Sequence, residues 1–213
     1  MWLGIIEIDD TLGNDKRKKA LKELIKKKCI VIDDVTLSGG GKSSYYYDLK
    51  AIALNPKALH LIGDLLLEEA VKHYGARSVG GLEIGAIPIS TAIVLQSFGK
   101  YKGDLEGFYV RKMLKSHGLK KKIEGRLVKP VVVVDDVITT GCSVMQAIES
   151  VRKEGVSVQG IVCIVDRELD ESQNLLKQNN YKYSALFKHA EFKQYIEKEI
   201  KKKKRKQGQK NSI

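Results

Sequence analysis

The residues whose types and spacing could do chemistry concentrate in one string, Val131-Val-Val-Val-Asp-Asp-Val-Ile-Thr-Thr-Gly-Cys-Ser143. Four consecutive valines read as a strand buried on both faces, as in a parallel sheet. Such a strand delivers Asp135 and Asp136 to its carboxyl end, where open α/β sheets bind ligands. Val137 and Ile138 then lead into a turn of Thr139, Thr140, Gly141, Cys142 and Ser143. Ser143 and Gln146 have capping-box spacing, and Val144, Ala147, Ile148 and Val151 form a helix face closed by Gly155. Backbone N–H groups, hydroxyls and the helix dipole at such a turn suit a phosphate monoester. Paired acids beside it suit polyol hydroxyls or a Mg²⁺-bound substrate. An ordinary strand-turn-helix connection explains capping residues but not two acids at the end of a buried strand.

Three further stretches carry reactive types. Arg111-Lys-Met-Leu-Lys-Ser-His-Gly118 offers Arg111, Lys112, Lys115 and His117 around a polar, glycine-ended segment. A loop of that kind can close over a pyrophosphate and exclude water. Leu37 to Lys50 holds a glycine run and then Tyr45, Tyr46 and Tyr47, of which Tyr45 reads as strand packing. Asp166-Arg167 ends the strand after the phosphate helix, and a guanidinium fits planar anions in bidentate fashion. Two look-alikes fail on context. Cys29-Ile-Val-Ile-Asp-Asp-Val-Thr-Leu-Ser-Gly-Gly40 has the acids but no helix behind its turn, and Gly41-Lys42-Ser43 imitates a P-loop that begins wrongly at Thr36. His60, His73 and His189 have no partner set by spacing.

The elements that position these residues follow from periodicity. Lys16 to Lys28 and Ala58 to Tyr74 are amphipathic helices, the second ended by Gly75. Cys29 to Val35, Tyr45 to Leu49, Ser78 to Ile84 and Gly107 to Arg111 read as strands, and Pro88 opens a helix through Gln96. Strand, helix and strand from Val131 to Val165 make a βαβ unit, so the class is α/β with a mostly parallel sheet. The chain's 213 residues are 43% hydrophobic, enough for one large domain. Net charge is +12, but Lys188 to Ile213 alone carries +7 and Arg111 to Lys122 adds six basic residues without an acid. The remaining body is near neutral, which favours a site for a small polyanion over a nucleic-acid surface. No apolar run spans a bilayer, Met1 to Ile8 lacks a basic leader, and three scattered cysteines fit a reducing compartment, so a cytoplasmic protein is expected. Residues 188–213 read as a basic tail, a frayed helix followed by disorder.

These stretches resemble one family. Val131 to Ser143 resembles the phosphoribosyl-pyrophosphate (PRPP) motif of the type I phosphoribosyltransferases. Arg111-Lys-x-x-Lys-x-His-Gly followed by Ile123-Glu-Gly125 resembles the catalytic loop of the orotate phosphoribosyltransferases. Leu37 to Lys50 is similar to their N-terminal segment, and Gly80 to Pro88 to their pyrophosphate-side loop. The likeness covers about Lys16 to Tyr183. It implies a type I phosphoribosyltransferase fold over residues 1–187, with a small N-terminal hood over about 1–50. It implies transfer of phosphoribose from PRPP to orotate, giving orotidine 5′-monophosphate and pyrophosphate, with Mg²⁺ held mainly by PRPP. PRPP contacts would come from Arg111, Lys112, Lys115, His117 and every residue from Asp135 to Ser143, with Lys115 and Asp136 catalytic. Orotate contacts would come from Thr139, Arg167, Tyr46 and Tyr47. A homodimer is implied in which Lys112, Lys115 and His117 serve the neighbouring site. Basic residues common in the family are missing at Ser38, Gly41 and Gly85. The weighed alternatives are a phosphoribosyltransferase for another base, against which Arg167 and the His-Gly loop argue, and a regulator of the same fold. About one helix precedes Cys29, too little for a DNA-reading module.

Overall fold

Val131 to Val134 are each at most 1% exposed, and they divide between two cores. Val131 and Val133 face one apolar cluster and Val132 and Val134 the other, the period-two alternation of a strand covered on both sides. The computed structural model describes residues 13–36, 41–100, 105–113 and 121–210. In chain order the first half comprises α1 (Asn14–Lys28), β1 (Ile30–Val31), β2 (Val35–Thr36), β3 (Lys42–Ser43), β4 (Tyr46–Tyr47), α2 (Lys50–Ala53), α3 (Pro56–Tyr74), β5 (Ser78–Leu82) and α4 (Ala86–Lys100). The second half comprises β6 (Glu106–Val110), β7 (Ile123–Gly125), β8 (Val131–Ile138), α5 (Cys142–Lys153), β9 (Val158–Asp166), α6 (Asp170–Gln178), β10 (Tyr183–Lys188), a 3₁₀ turn at His189–Glu191 and α7 (Lys193–Lys210).

Six strands form the main sheet in the order β10-β9-β8-β5-β6-β7. All neighbours are parallel except the edge pair of β6 with β7. The predicted α/β class with a mostly parallel sheet is thus present. On one face, α5 packs Val144, Ala147, Ile148 and Val151 over Val131 and Val133. On the other, α3 packs Leu61, Ile62, Leu65 and Leu66 in the cluster of Val132 and Val134. Burial of a valine or leucine of this kind contributes about 1.5–3 kcal/mol against exposure. α3 starts two residues before its predicted bound: Asn55 Oδ1 accepts from the Ala58 N–H at 3.0 Å, and Pro56 occupies the first turn. Short antiparallel pairs, β1 with β4 and β2 with β3, stand apart from the main sheet where the hood was expected. No helix among the described residues is long and apolar enough to cross a membrane.

Two expectations are corrected. The C-terminal segment is not disordered after Lys188: α7 runs from Lys193 to Lys210, with Phe192 and Ile196 buried in the core beside Leu21 and Ile25 and with Ile200 packed against it. Its apolar positions, 192, 196 and 200, form a single file among lysines, too narrow to register as an amphipathic stripe. Polar ties add to it, from Lys22 Nζ to Glu191 at 2.8 Å and from Lys203 Nζ to the Ile32 carbonyl at 2.7 Å. Nor does Ser143 cap α5. The cap is Gly141 in the left-handed region (φ 82°), which places Ser143 inside the first helical turn.

Candidate active site

The carboxyl ends of β5, β8 and β9 open onto a cleft of about 1150 Å³. β8 delivers both predicted acids to it. Asp135 is 8% exposed and its Oδ1 accepts from the Asp136 N–H at 3.0 Å, while Asp136 Oδ1 accepts from the Val137 N–H at 2.8 Å. Burial first, and then the neighbouring Asp136 charge, pushes the Asp135 carboxyl well above the ordinary carboxylate range. Asp135 is thereby held towards its protonated, hydrogen-bond-donating form. Gly85, in the loop after β5, faces this pair closely: a Cβ there would meet the Asp136 carboxyl at 3.1 Å. A side chain at position 85 would press on Asp136.

Val137, Thr139, Thr140, Gly141, Cys142 and Ser143 all line the cleft. Because Gly141 holds a positive φ, the chain turns sharply and α5 begins with its N–H groups beside the two threonines. Ile138 is the exception among the predicted run. It is 1% exposed and belongs to the core, and its carbonyl accepts the Arg167 N–H at 3.0 Å. That bond fixes the end of β9 to the end of β8.

Arg167 also lines the cleft and is 4% exposed. Its loop is held by Asp166, fully buried, which accepts from the Glu168 N–H at 2.8 Å, Gln173 Nε2 at 2.9 Å and the Tyr183 hydroxyl at 3.0 Å. The guanidinium donates from Nη2 to Ser43 Oγ at 3.2 Å and lies 4.7 Å from the Tyr45 ring centroid, and its Nε is buried without a partner among the described residues. Tyr46 and Tyr47 line the cleft. Tyr45, read from sequence as packing, is the ring that carries the arginine. Nothing local distinguishes Tyr45 from its two neighbours. Sequence reasoning also passed over Lys50, Glu83 and Gln146, which line the cleft. Lys50 closes the segment that carried the family likeness.

The basic loop divides. Lys112 lines the cleft of its own chain. Its N–H donates to Glu83 Oε1 at 2.8 Å. Arg111 does not line the cleft: its Nε donates to Glu124 at 3.2 Å and its Nη2 to the Tyr109 hydroxyl at 3.1 Å. Lys115, His117 and Ser38 lie outside the described residues. Lys42 and Gly41, on the hood, are exposed.

A phosphate turn and paired acids at the carboxyl end of a parallel strand, in one cleft with a buried arginine, define a type I phosphoribosyltransferase. No protein-family profile matches the chain. Orotate phosphoribosyltransferases do: that of Aquifex aeolicus is 40% identical over 147 residues, 68% of this chain and 78% of the relative. That of Corynebacterium glutamicum is 41% identical over 156 residues, 72% of this chain and 82% of the relative. The orotate phosphoribosyltransferase of Mycobacterium tuberculosis, solved with 5-phospho-α-D-ribosyl 1-diphosphate, superposes with a TM-score of 0.64 at 31% identity, covering 82% of this chain and 97% of that one. The chain belongs to the orotate phosphoribosyltransferase family.

Proposed function

We propose that the cleft binds PRPP along Asp135 to Ser143 and orotate against Arg167, and transfers phosphoribose between them. The supporting observation is that a phosphate-type turn and a buried arginine, its Nε unpaired among the described residues, open onto one cleft. A carboxylated pyrimidine gives that guanidinium an anion to bind; an adenine does not. The C1–O bond to pyrophosphate breaks with its electron pair on the leaving oxygen, and the orotate ring nitrogen supplies the pair for the new C1–N bond. Positive charge on the ribose then develops beside Asp135 and Asp136. Asp135 and Asp136 hold the ribose hydroxyls beside that charge.

Thr139 to Ser143 anchor the 5′-phosphate through hydroxyls and the first N–H groups of α5. Lys112 meets the pyrophosphate within the same chain. We assign Lys115 and His117 to the pyrophosphate of a partner subunit's site, which makes the active unit a homodimer. Among the described residues no three carboxylate, imidazole or thiolate groups gather as a metal cage. Asp135 and Asp136 fit an ion that takes one or two carboxylates and completes its shell from substrate oxygens. Mg²⁺ held there supplies charge neutralisation of the leaving pyrophosphate.

The test is depletion of orotate by the purified protein with PRPP and Mg²⁺, run beside adenine, hypoxanthine and uracil. Turnover of orotate alone is expected. Turnover of adenine or hypoxanthine without orotate overturns the assignment of Arg167.

A further inference from the structure

The orotate end of the cleft is backed by the turn that precedes α7, a part of the chain outside the family likeness. The Tyr45 ring, over which the Arg167 guanidinium lies, stacks on the His189 imidazole with centroids 5.1 Å apart and planes within 7°. His189 Nδ1 is 3.0 Å from the Tyr47 hydroxyl, and Nε2 is 3.5 Å from that of Tyr45. The next residue, Ala190, donates its N–H to Glu168 Oε2 at 2.9 Å, which ties the turn to the residue after Arg167. Behind it, buried Phe192 meets the Tyr47 ring edge-on at 5.7 Å. His189 itself does not line the cleft.

We propose that His189 is a positioning residue for orotate: through Tyr45 and Tyr47 it holds the Arg167 guanidinium and the tyrosine wall in place. This inference rests on the assignment of Arg167 to orotate. Among the described residues Arg167 makes a single side-chain hydrogen bond, to Ser43, and the Tyr45 stack is its other lateral support. The imidazole suits that role in neutral form. Burial first, and then the Arg167 charge, pulls His189 below the ordinary histidine range, with Glu168 opposing and Lys193 adding to the fall. Burial pushes the Tyr47 phenol upward, so Tyr47 keeps its proton and donates it to the bare Nδ1. Nε2 then carries the ring proton. A neutral ring stacks on Tyr45 without placing a second cation beside Arg167.

The experiment compares His189→Ala and His189→Phe with wild type in steady-state orotate turnover, alongside PRPP binding by calorimetry. His189→Ala should raise KM for orotate by about tenfold while KM and Kd for PRPP stay within about twofold. His189→Phe keeps a stacking ring and should restore most of that loss. Unchanged orotate KM in both variants, or equal rises for the two substrates, overturns the role. If His189→Ala does not fold, His189→Phe decides alone: an orotate KM within error of wild type, where a rise of about twofold to threefold is expected from the lost Tyr47 bond, overturns it. Absence of orotate turnover in wild-type protein is the separate outcome that removes the functional reading and this one with it.

Discussion

Two regions of this chain carry almost the same string. Ile30-Val-Ile-Asp-Asp-Val-Thr36 and Val132-Val-Val-Asp-Asp-Val-Ile138 each place two acids after three β-branched residues. The second is the interior of β8, flanked by β5 and β9 and roofed by helices on both faces. The first breaks into two two-residue strands whose partners are equally short. Asp135 is buried and its carboxyl is pushed up; Asp33 is exposed and its carboxyl is pulled down, chiefly by the hydrogen bond from Lys203 at 3.0 Å. One string therefore yields acids perturbed in opposite directions. What separates them is the parallel neighbours and the helix that follows, neither of which the string contains.

The largest contrast is expected in turnover. Asp136→Asn should lower kcat by about a hundredfold or more, because its carboxylate faces the developing ribose cation. The matching Asp34→Asn should change it less than about twofold. Purified variants with unaltered circular dichroism check both, and comparable losses would show that the hood acids share the chemistry.

The glycines that follow sharpen the contrast. Gly141 has φ 82°, and a Cβ there would approach Leu175 Cδ2 at 3.1 Å, whereas a Cβ at Gly41 meets nothing within 4 Å. Gly141→Ala should therefore cost about 1–2 kcal/mol of stability and raise KM for PRPP about tenfold. Gly41→Ala should alter neither measurably. Denaturant titration and PRPP saturation curves read the two effects.

A third contrast lies in pH. Because the folded-state pKa of Asp135 is raised, its contribution to stability is present at acid pH and is lost as pH climbs through the raised value. Asp135→Asn removes that loss. Its melting temperature should match wild type near pH 4 and exceed it increasingly towards pH 8, even as activity falls. For Asp33 the sign reverses, since a lowered carboxyl lends stability above the ordinary range and loses it on acidification. Melting curves of Asp135→Asn between about pH 4 and pH 8, and of Asp33→Asn from about pH 5 down to about pH 2, test the opposite slopes, and slopes of the same sign would break the comparison.

The smallest effect concerns the holder of Asp33. Removal of residues 201–213 deletes Lys203 but leaves Phe192, Ile196 and Ile200 in place. Orotate turnover should stay within about twofold of wild type and the melting temperature within a few degrees. Lost turnover would mean that the end of α7 supports the site directly.

The sequence was legible where structure is local. Four valines, a glycine turn and an apolar helix face lie within about twenty residues, and they placed Asp135, Asp136 and the phosphate turn without help from distant chain. Arg167 was legible as the end of the next strand. What escaped depends on contacts across the chain: Arg167 meets Ser43 at a separation of 124 residues, and Tyr45 meets His189 at 144. No periodicity records such meetings, so Tyr45 was indistinguishable from its neighbours and His189 looked isolated. The order of α7 escaped because Phe192, Ile196 and Ile200 gain their worth only from a core assembled by distant parts of the chain, as where Phe192 meets Tyr47. Ser143 escaped differently, as a good capping residue overridden by the left-handed turn at Gly141.

The closing of the base end by residue 189 bears on how the protein is made. Synthesis is vectorial, and domains of this size begin to organise from the amino end as the chain lengthens. By the time β9 has been added, β8, its acids and the phosphate turn have their parallel neighbours. Tyr45 and Tyr47 must still wait for His189, held by loop-closure entropy from a partner that emerges late. A nascent chain can thus complete the Asp135 to Ser143 turn before the contact of Tyr45 with His189 is possible.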